Sequence, residues 1–207
     1  TRFPNLIKEL EVTRVNQVFV SDITYYDMGP DTYYLTLIMD LFNREIVGWS
    51  ASDNLRTENT TLPALHRLIN QRGRTNIEGS ILHSDGGGQY YCKEFKALTK
   101  ELKMVNSMTE ERVYENAHAE RLNGIIKNNY LYPYGPTNQC SLKRLLDKAV
   151  LMYNTEKPHK ALGKLTPIEF KKTVDNEDNS LGYLPLSTAH HHIQKRRKIN
   201  QKRVNVI

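Results

Sequence analysis

Hydrophobic runs separated by short polar stretches characterise the N-terminal part of the chain and predict β-strands there. Residues 17–26 and 32–41 are rich in the β-branched and aromatic side chains that suit a pleated surface. The polar stretch 27–31 predicts a hairpin turn between them, and a third strand is predicted over 45–52. Three strands with short connections predict an antiparallel meander.

Beyond this meander the hydrophobic positions recur at helical spacing. Leu62, Leu65, Leu68 and Ile69 form one such apolar stripe. Helices are predicted over 58–71, 92–102, 115–130, 142–154 and 167–172, and strands over 80–84 and 104–108. Strands that alternate with helices after a meander predict a mixed α/β sheet in which the later strands join parallel to the first.

Composition divides the chain into three segments. Residues 1–14 are a polar lead-in, 15–174 carry the predicted elements of one α/β domain, and 175–207 have the composition of a polar linker followed by a basic tail. Of the 207 residues 39% are hydrophobic, which is enough for one domain with a substantial core. The chain begins at Thr1 rather than at methionine, which is consistent with a piece of a longer protein.

Several classes of protein are disfavoured. No stretch approaches the roughly 18 consecutive apolar residues that a membrane span needs, and the N-terminus lacks the features of a signal peptide. Cys92 and Cys140 form no CxxC pair, which argues against a disulfide scaffold and against a structural zinc site. We therefore expect free thiols, a reducing compartment and no membrane partner.

The positive charge is concentrated at the C-terminus. The formal net charge is +6. Residues 189–207 contain six basic residues and no acidic one, so the rest of the chain is formally neutral. A neutral body with a cationic tail predicts a polyanionic partner, most simply nucleic acid, although a solvated tail without a partner is the alternative. The basic residues of this tail are Lys195, Arg196, Arg197, Lys198, Lys202 and Arg203.

Two aspartates interrupt the strand pattern. Asp22 lies in a strand so apolar that it should be central in the sheet, where an ionised carboxylate is costly unless it is paired or metal-bound. Asp85 follows the strand 80–84 and precedes three glycines, at the sheet edge where α/β proteins bind ligands. The alternatives are a frayed strand end or a salt bridge for Asp22, and an aspartate cap of an ordinary turn for Asp85.

One face of the predicted helix 115–130 is polar. Four side chains recur at spacings of four, three and four residues, which aligns them along the helix. The opposite face is apolar and predicts contact with the core. A solvated polar face explains the pattern equally well when the helix is considered alone. The aligned residues are Asn116, Glu120, Asn123 and Lys127.

Together these positions resemble the catalytic core of the transposase and retroviral-integrase superfamily. The resemblance lies in a D…D…E set whose last two carboxylates are 35 residues apart, with a lysine seven residues after the glutamate. The integrase-type transposases of bacterial insertion sequences are the more similar group. The motifs that carry this are SDITY at 21–25, HSDGGGQY at 83–90, ENAHAE at 115–120, and YNTEKPHKAL at 153–162 with TPIEF at 166–170.

The resemblance implies a fold and a chemistry. It implies a ribonuclease H-like α/β fold, a mixed five-stranded sheet flanked by helices, over residues 15–174. It implies a DDE-type enzyme that cleaves and joins DNA strands, with Asp22, Asp85 and Glu120 as both catalytic and metal-binding residues. Two Mg²⁺ or Mn²⁺ ions per site would be held by these carboxylates, with Asp22 bridging them, and Lys127 would meet a DNA-end phosphate.

The partners implied are element ends and target DNA, handled by at least a dimer, in the bacterial cytoplasm in association with the nucleoid. Two alternatives stay open: a nuclease of the same fold that only hydrolyses, and a non-catalytic DNA-binding protein derived from a transposase. A glycosidase with two carboxylates ranks last, because it has no use for Lys127 or the basic tail.

Histidines and tyrosines supply further candidates. His83 and His118 could act as general bases, although a strand histidine satisfied by hydrogen bonds is the favoured interpretation of His83. The tyrosines of segment 130–134 could stack on nucleobases, but core edges explain them first.

Overall fold

The computed structural model describes residues 3–110 and 116–181, with side chains described as far as residue 176. Its centre is a five-stranded sheet in the order β3-β2-β1-β4-β5. The strands are β1 (Val18–Met28), β2 (Asp31–Asp40), β3 (Ile46–Ser52), β4 (Ile81–Ser84) and β5 (Val105–Met108). The predicted mixed sheet is therefore confirmed, with β1 in the middle as the apolar character of that strand indicates.

The pairing of the strands follows the predicted meander and crossovers. β1 pairs antiparallel with β2, and β2 pairs antiparallel with β3. The β1–β2 turn contains Gly29 at φ +62°, a left-handed conformation that glycine adopts without steric cost. β4 joins β1 in parallel, with Ser84 opposite Ser21, and β5 joins β4 in parallel. The parallel pairing brings the carboxyl end of β4 beside the middle of β1.

In the part of the chain that the structure describes, five α-helices flank the sheet: α1 (Thr61–Arg72), α2 (Lys93–Glu101), α3 (Ala117–Ile126), α4 (Gln139–Thr155) and α5 (Pro167–Leu181). The helix predicted over 115–130 is α3 followed by one π-helical turn, Lys127–Leu131. The predicted end of the last helix at residue 172 is wrong, because α5 continues to Leu181 and crosses the predicted domain boundary at 174. Thr166 and Glu169 cap its start reciprocally, and no proline or glycine interrupts the polar turns that follow.

The sheet separates two hydrophobic layers. Val20 and Leu35 belong to the layer that contains α3 and α4, whereas Phe19 and Ile38 belong to the layer that contains α1 and α2. This division follows from the alternation of side chains along a strand. β1 is buried on both faces over its first residues, so an ionisable side chain in its middle is unusual.

Close packing of α1 on β3 depends on Gly48. A Cβ built at this position would lie 2.3 Å from the backbone oxygen of Ala64 in α1.

Within the described part of the chain, no helix is both long and apolar enough to span a bilayer.

Candidate active site

Asp22 lies on the central strand with its carboxylate directed to α3. Asn123 of α3 donates a hydrogen bond of 2.7 Å from Nδ2 to Oδ2 of Asp22. The strand does not fray at this point, since β1 continues to Met28, and none of the ion pairs among the described residues includes Asp22. The carboxylate is therefore held by an amide and not by a cationic side chain.

Asp85 follows β4 directly and so lies next to β1. Its Oδ1 accepts a hydrogen bond of 3.2 Å from the backbone N–H of Gly87. A Cβ at Gly87 would approach that same oxygen to 3.1 Å, so a side chain there would crowd the carboxylate. The aspartate caps the turn, as the simpler interpretation of the sequence suggests, and burial raises its pKa.

Glu120 lies in the first turn of α3 and is exposed. The predicted polar face of this helix packs on β1. Asn116 is 3% exposed and donates to the backbone oxygen of Ser21 at 3.0 Å, and Asn123 is 4% exposed. The face is therefore not a solvated one, although the carboxylate of Glu120 itself is open to solvent.

The charges of Asp85 and Glu120 both act on the carboxyl group of Asp22. The pKa of Asp22 is raised to about 7, first because the side chain is buried and then because of the negative charge of Asp85. The charge of Glu120 raises it further, while hydrogen bonds from the Ile23 N–H and from Asn123 lower it. Nevertheless, among residues 3–110 and 116–181 no group of three or more Asp, Glu, His or Cys side chains is arranged so that it could hold a metal ion.

Lys127 reaches the second half of β1. Its Nζ donates to Thr24 Oγ1 at 3.0 Å and to the backbone oxygen of Tyr25 at 3.3 Å. Nζ also lies 5.2 Å from the centre of the exposed Tyr25 ring. Thr24 shares a face of β1 with Asp22, so the ammonium group is held on the side of the strand that carries this carboxylate. Its contact with a DNA phosphate stays a prediction.

The two candidate histidines have structural partners. His83 is fully buried, and its Nδ1 lies 2.9 Å from Ser107 Oγ on β5, in agreement with the favoured interpretation. His118 Nδ1 lies 2.9 Å from an Arg44 guanidinium nitrogen, Nη1. Burial and the charges of Arg44 and Arg121 lower the pKa of His118 to about 3, so this imidazole is a weak base.

Segment 130–134 contributes a partly exposed aromatic surface. Tyr132 stacks on Tyr26 of β1 with ring centroids 5.0 Å apart, and Tyr132 and Tyr134 are 51% and 59% exposed. The basic residues of the C-terminal tail, Lys195 to Arg203, lie outside the described residues, so their part in DNA binding stays a prediction.

The sequence alone does not reveal the contacts of three residues near the candidate site. Asn123 was detected as part of the polar face, but its hydrogen bond to Asp22 was not. Tyr90 is fully buried, and its hydroxyl lies 2.8 Å from that of Ser21, the neighbour of Asp22. Arg44 gave no signal at all, because it stands in a short polar link with no periodic pattern.

The sheet order, the parallel crossovers and the three carboxylate-bearing elements define a ribonuclease H-like fold of the kind seen in integrase catalytic cores. Two family models, both described as integrase core domain, match residues 12–112 and 106–167. Together they cover most of the chain, which belongs to the integrase core domain family. The resemblance stated from the sequence motifs is thereby confirmed.

Curated relatives come from bacterial insertion sequences. The "Insertion element IS600 uncharacterized 31 kDa protein" of Shigella sonnei is 29% identical, over 82% of this chain and 62% of the relative. The "Putative transposase InsK for insertion sequence element IS150" of Escherichia coli K12 is 28% identical, over 81% of this chain and 59% of the relative. The chain thus spans about three fifths of the length of these relatives.

Solved integrase structures share the fold at low sequence identity. A simian T-cell lymphotropic virus intasome chain superposes with a TM-score of 0.67 at 18% identity, covering 82% of this chain and 58% of the viral one. The HTLV-2 integrase catalytic core domain in complex with magnesium gives a TM-score of 0.60 at 21% identity, covering 75% and 95%. These similarities show that the ribonuclease H-like fold predicted from the motifs is correct.

Proposed function

We propose that this chain catalyses DNA strand cleavage and strand transfer by direct transesterification, as a DDE-type transposase. The observation that carries the proposal is the buried carboxylate of Asp22, which is hydrogen-bonded to Asn123 of α3 and has its pKa raised first by burial and then by the charges of Asp85 and Glu120. Burying Asp22 near two further negative charges is costly to fold. It is typical of a site that functions with bound cations.

The donor chemistry of these side chains fits magnesium. Carboxylate oxygens are the ligands that Mg²⁺ and Mn²⁺ prefer, and a divalent cation would offset both the burial and the neighbouring negative charges that raise the pKa of Asp22. Asp22, Asp85 and Glu120 would hold the metal. When bound, it would supply charge neutralisation at the scissile phosphate and activation of the attacking hydroxyl. Two ions per site is part of the proposal.

The chain's own residues prepare this site in two ways. Asn123 fixes the orientation of the Asp22 carboxylate through its amide, as supporting residues of metal ligands commonly do. Lys127 offers an ammonium group beside β1, where it would attract a phosphate of the DNA end as a point charge. The thiols and the two histidines have no part in the reaction.

The partners follow from the reaction. The substrates would be element-end DNA and target DNA, and at least a dimer would be needed to bring two ends together. The basic tail, Lys195 to Arg203, would add sequence-independent affinity for the DNA backbone. Bacterial relatives named as transposases support action in the cytoplasm on nucleoid DNA.

A single assay separates the proposal from its alternatives. The chain is incubated with short duplexes bearing free 3′-hydroxyls, a supercoiled plasmid and Mg²⁺. Covalent joining of the duplex to the plasmid, lost in Asp85→Asn, supports strand transfer. Nicked products without joining indicate a hydrolytic nuclease instead. Binding without any strand breakage indicates a non-catalytic DNA-binding protein.

A further inference from the structure

Arg44 is a buried cation that forms no salt bridge with any carboxylate of the described residues. It stands in the connection between β2 and β3 with a left-handed φ of +63°, and it is 8% exposed. Its guanidinium makes one hydrogen bond in the described part of the chain, to Nδ1 of His118, and no ion pair there. Burial lowers its pKa. A buried charge of this kind is costly unless an anion pairs with it.

The carboxylate of Asp40, a negative charge that acts on Arg44, already has hydrogen-bond partners. Asp40 acts on Arg44, but its two carboxylate oxygens accept hydrogen bonds from the backbone N–H groups of Asn16 and Phe42, at 2.8 Å and 2.9 Å. Arg72 also lies 3.8 Å from Asp40. His118 takes one of the five donors of the Arg44 guanidinium, and no Arg44 atom is among the buried polar atoms without a partner in the described residues, so the remaining donors are open to solvent.

Further basic groups converge on the same place from two other elements. Burial is the main reason that the pKa values of Arg44 and His159 are lowered, and the charge of Arg121 on α3 lowers both further. Lys157 also lowers the pKa of His159. Neither Arg121 nor Lys157 forms an ion pair with any residue in 3–110 or 116–181. The Nε2 atom of His159 is buried and has no hydrogen-bond partner.

The surrounding structure holds this arrangement firmly. The side chain of Asn154 binds both backbone groups of Ile46, accepting from its N–H and donating to its oxygen, each at 2.9 Å. The ring of Tyr153 contacts that of His159 edge to face, with centroids 4.9 Å apart. Asn154 therefore connects α4 to the start of β3, two residues after Arg44, a role that the carboxylate chemistry does not explain.

We propose that Arg44, Arg121, Lys157 and His159 form a binding site for a DNA backbone phosphate beside Glu120. The inference rests on the proposed function, because the phosphate belongs to the DNA on which the chain is proposed to act. Guanidinium groups recognise phosphate through paired N–H donors, and the free Nε2 position of His159 adds a further donor in the matching tautomer. Arg121 and Glu120 both belong to α3, so the proposed phosphate site lies on the helix that carries the third carboxylate.

Salt dependence of DNA binding tests this site without any chemistry. The affinity of the full chain for a fluorescent duplex of arbitrary sequence is measured by anisotropy over a range of salt concentrations, in EDTA. Each lost phosphate contact lowers the slope of log affinity against log salt by about 0.9. Arg121→Gln and Lys157→Gln should each lower this slope by about 0.9, and the double variant should lower it by about twice as much.

A matched control removes a charge from the opposite layer. Lys100 is exposed on α2, on the other side of the sheet, and Lys100→Gln should leave the slope unchanged. Arg44→Lys keeps the charge but not the planar fork, so it should weaken binding less than Arg44→Gln does. The melting temperature of both variants is measured alongside, so that loss of affinity is separated from loss of the fold. Slopes equal to that of the wild type in both Arg121→Gln and Lys157→Gln would overturn the site.

Two DNA forms identify the source of the phosphate. A linear duplex has ends, whereas a covalently closed minicircle of the same sequence has none. If Arg121→Gln weakens binding to the linear form alone, the phosphate belongs to the DNA end; equal weakening on both forms assigns it to continuous duplex such as target DNA. If the wild type joins DNA strands but the variants keep the wild-type salt slope, this phosphate site is refuted and the transposase proposal stands. If the variants change the slope but the wild type joins no strands, the transposase proposal is refuted and the phosphate site stands.

Discussion

Asn123 of α3 and Asp22 of β1 are joined by a hydrogen bond of 2.7 Å from Nδ2 to Oδ2. The bond connects the helix that carries Glu120 to the central strand of the sheet. It also offsets part of the cost of burying Asp22, whose pKa is raised to about 7. The position of α3 and the orientation of a proposed metal ligand thus depend on the same amide.

Glu120→Gln should abolish strand transfer and leave DNA binding intact. The amide keeps the shape of the side chain but removes a charge that a divalent metal needs. Loss of this charge should cost several kcal/mol in the transition state, on the order of 10³-fold in rate. Plasmid joining and anisotropy measure the two effects separately. Glu58→Gln, at another exposed glutamate, is the control, and undiminished joining by Glu120→Gln would remove the catalytic assignment.

Asn123→Ala should weaken the response to magnesium. Without the amide the Asp22 carboxylate loses its orienting donor, and loss of such a supporting contact typically costs about 10- to 100-fold in metal affinity or activity. The joining rate measured against Mg²⁺ concentration should therefore reach half of its maximum at a higher concentration. Asn129→Ala, on the exposed side of the following turn, should behave as the wild type. An identical Mg²⁺ profile for Asn123→Ala would contradict the positioning role.

Asp40 should make the free energy of unfolding fall as the pH rises from about 4 to about 6. Burial raises its pKa from 3.8 to about 6, so in this interval the folded state binds more protons than the unfolded state. The difference corresponds to about 3 kcal/mol. Urea unfolding across this pH range, compared with Asp40→Asn, isolates the contribution. Parallel curves for the two proteins would show that the carboxyl group does not titrate there.

Asn154→Ala should destabilise the fold by about 2 kcal/mol or more. It removes both hydrogen bonds to Ile46 and leaves a buried backbone N–H and carbonyl without partners, each costing about 1–3 kcal/mol. The free energy of unfolding in urea measures the loss. Asn128→Ala, at an exposed position, should change it by less than about 0.5 kcal/mol. Equal stability of the two variants would argue that Asn154 does not support the β3 start.

Removal of residues 189–207 should weaken DNA binding without altering the carboxylate site. Six basic residues leave with this segment, and each neutralised phosphate contributes about −0.9 to the salt slope. We expect only some of the six to contact phosphates, so the slope should change by about two to four. Specific and random duplexes should lose affinity alike, because backbone contacts carry no base information. Equal salt slopes for the full and shortened chains would show that the tail touches no DNA.

The sequence by itself determined the order of the elements and the identity of the candidate residues. Strand and helix periodicities are local, so the five strands and the starts of the helices could be predicted from neighbouring residues. The spacing of Asp22, Asp85 and Glu120 likewise needs no tertiary information. The end of α5 was mispredicted because polar composition is compatible with both an exposed helix and a linker.

Only the tertiary structure decided which side chains meet. Asn123 and Asp22 are separated by 101 residues, and Arg44 and His118 by 74, so no local pattern reveals either pair. The same is true of burial: Asn116 and Asn123 belong to a polar helix face that looks solvated in isolation, yet packing on β1 places both inside. Pairing and burial depend on how sheet and helices fit together in three dimensions, and this is why the cost of a buried charge such as Arg44 becomes visible only in the folded chain.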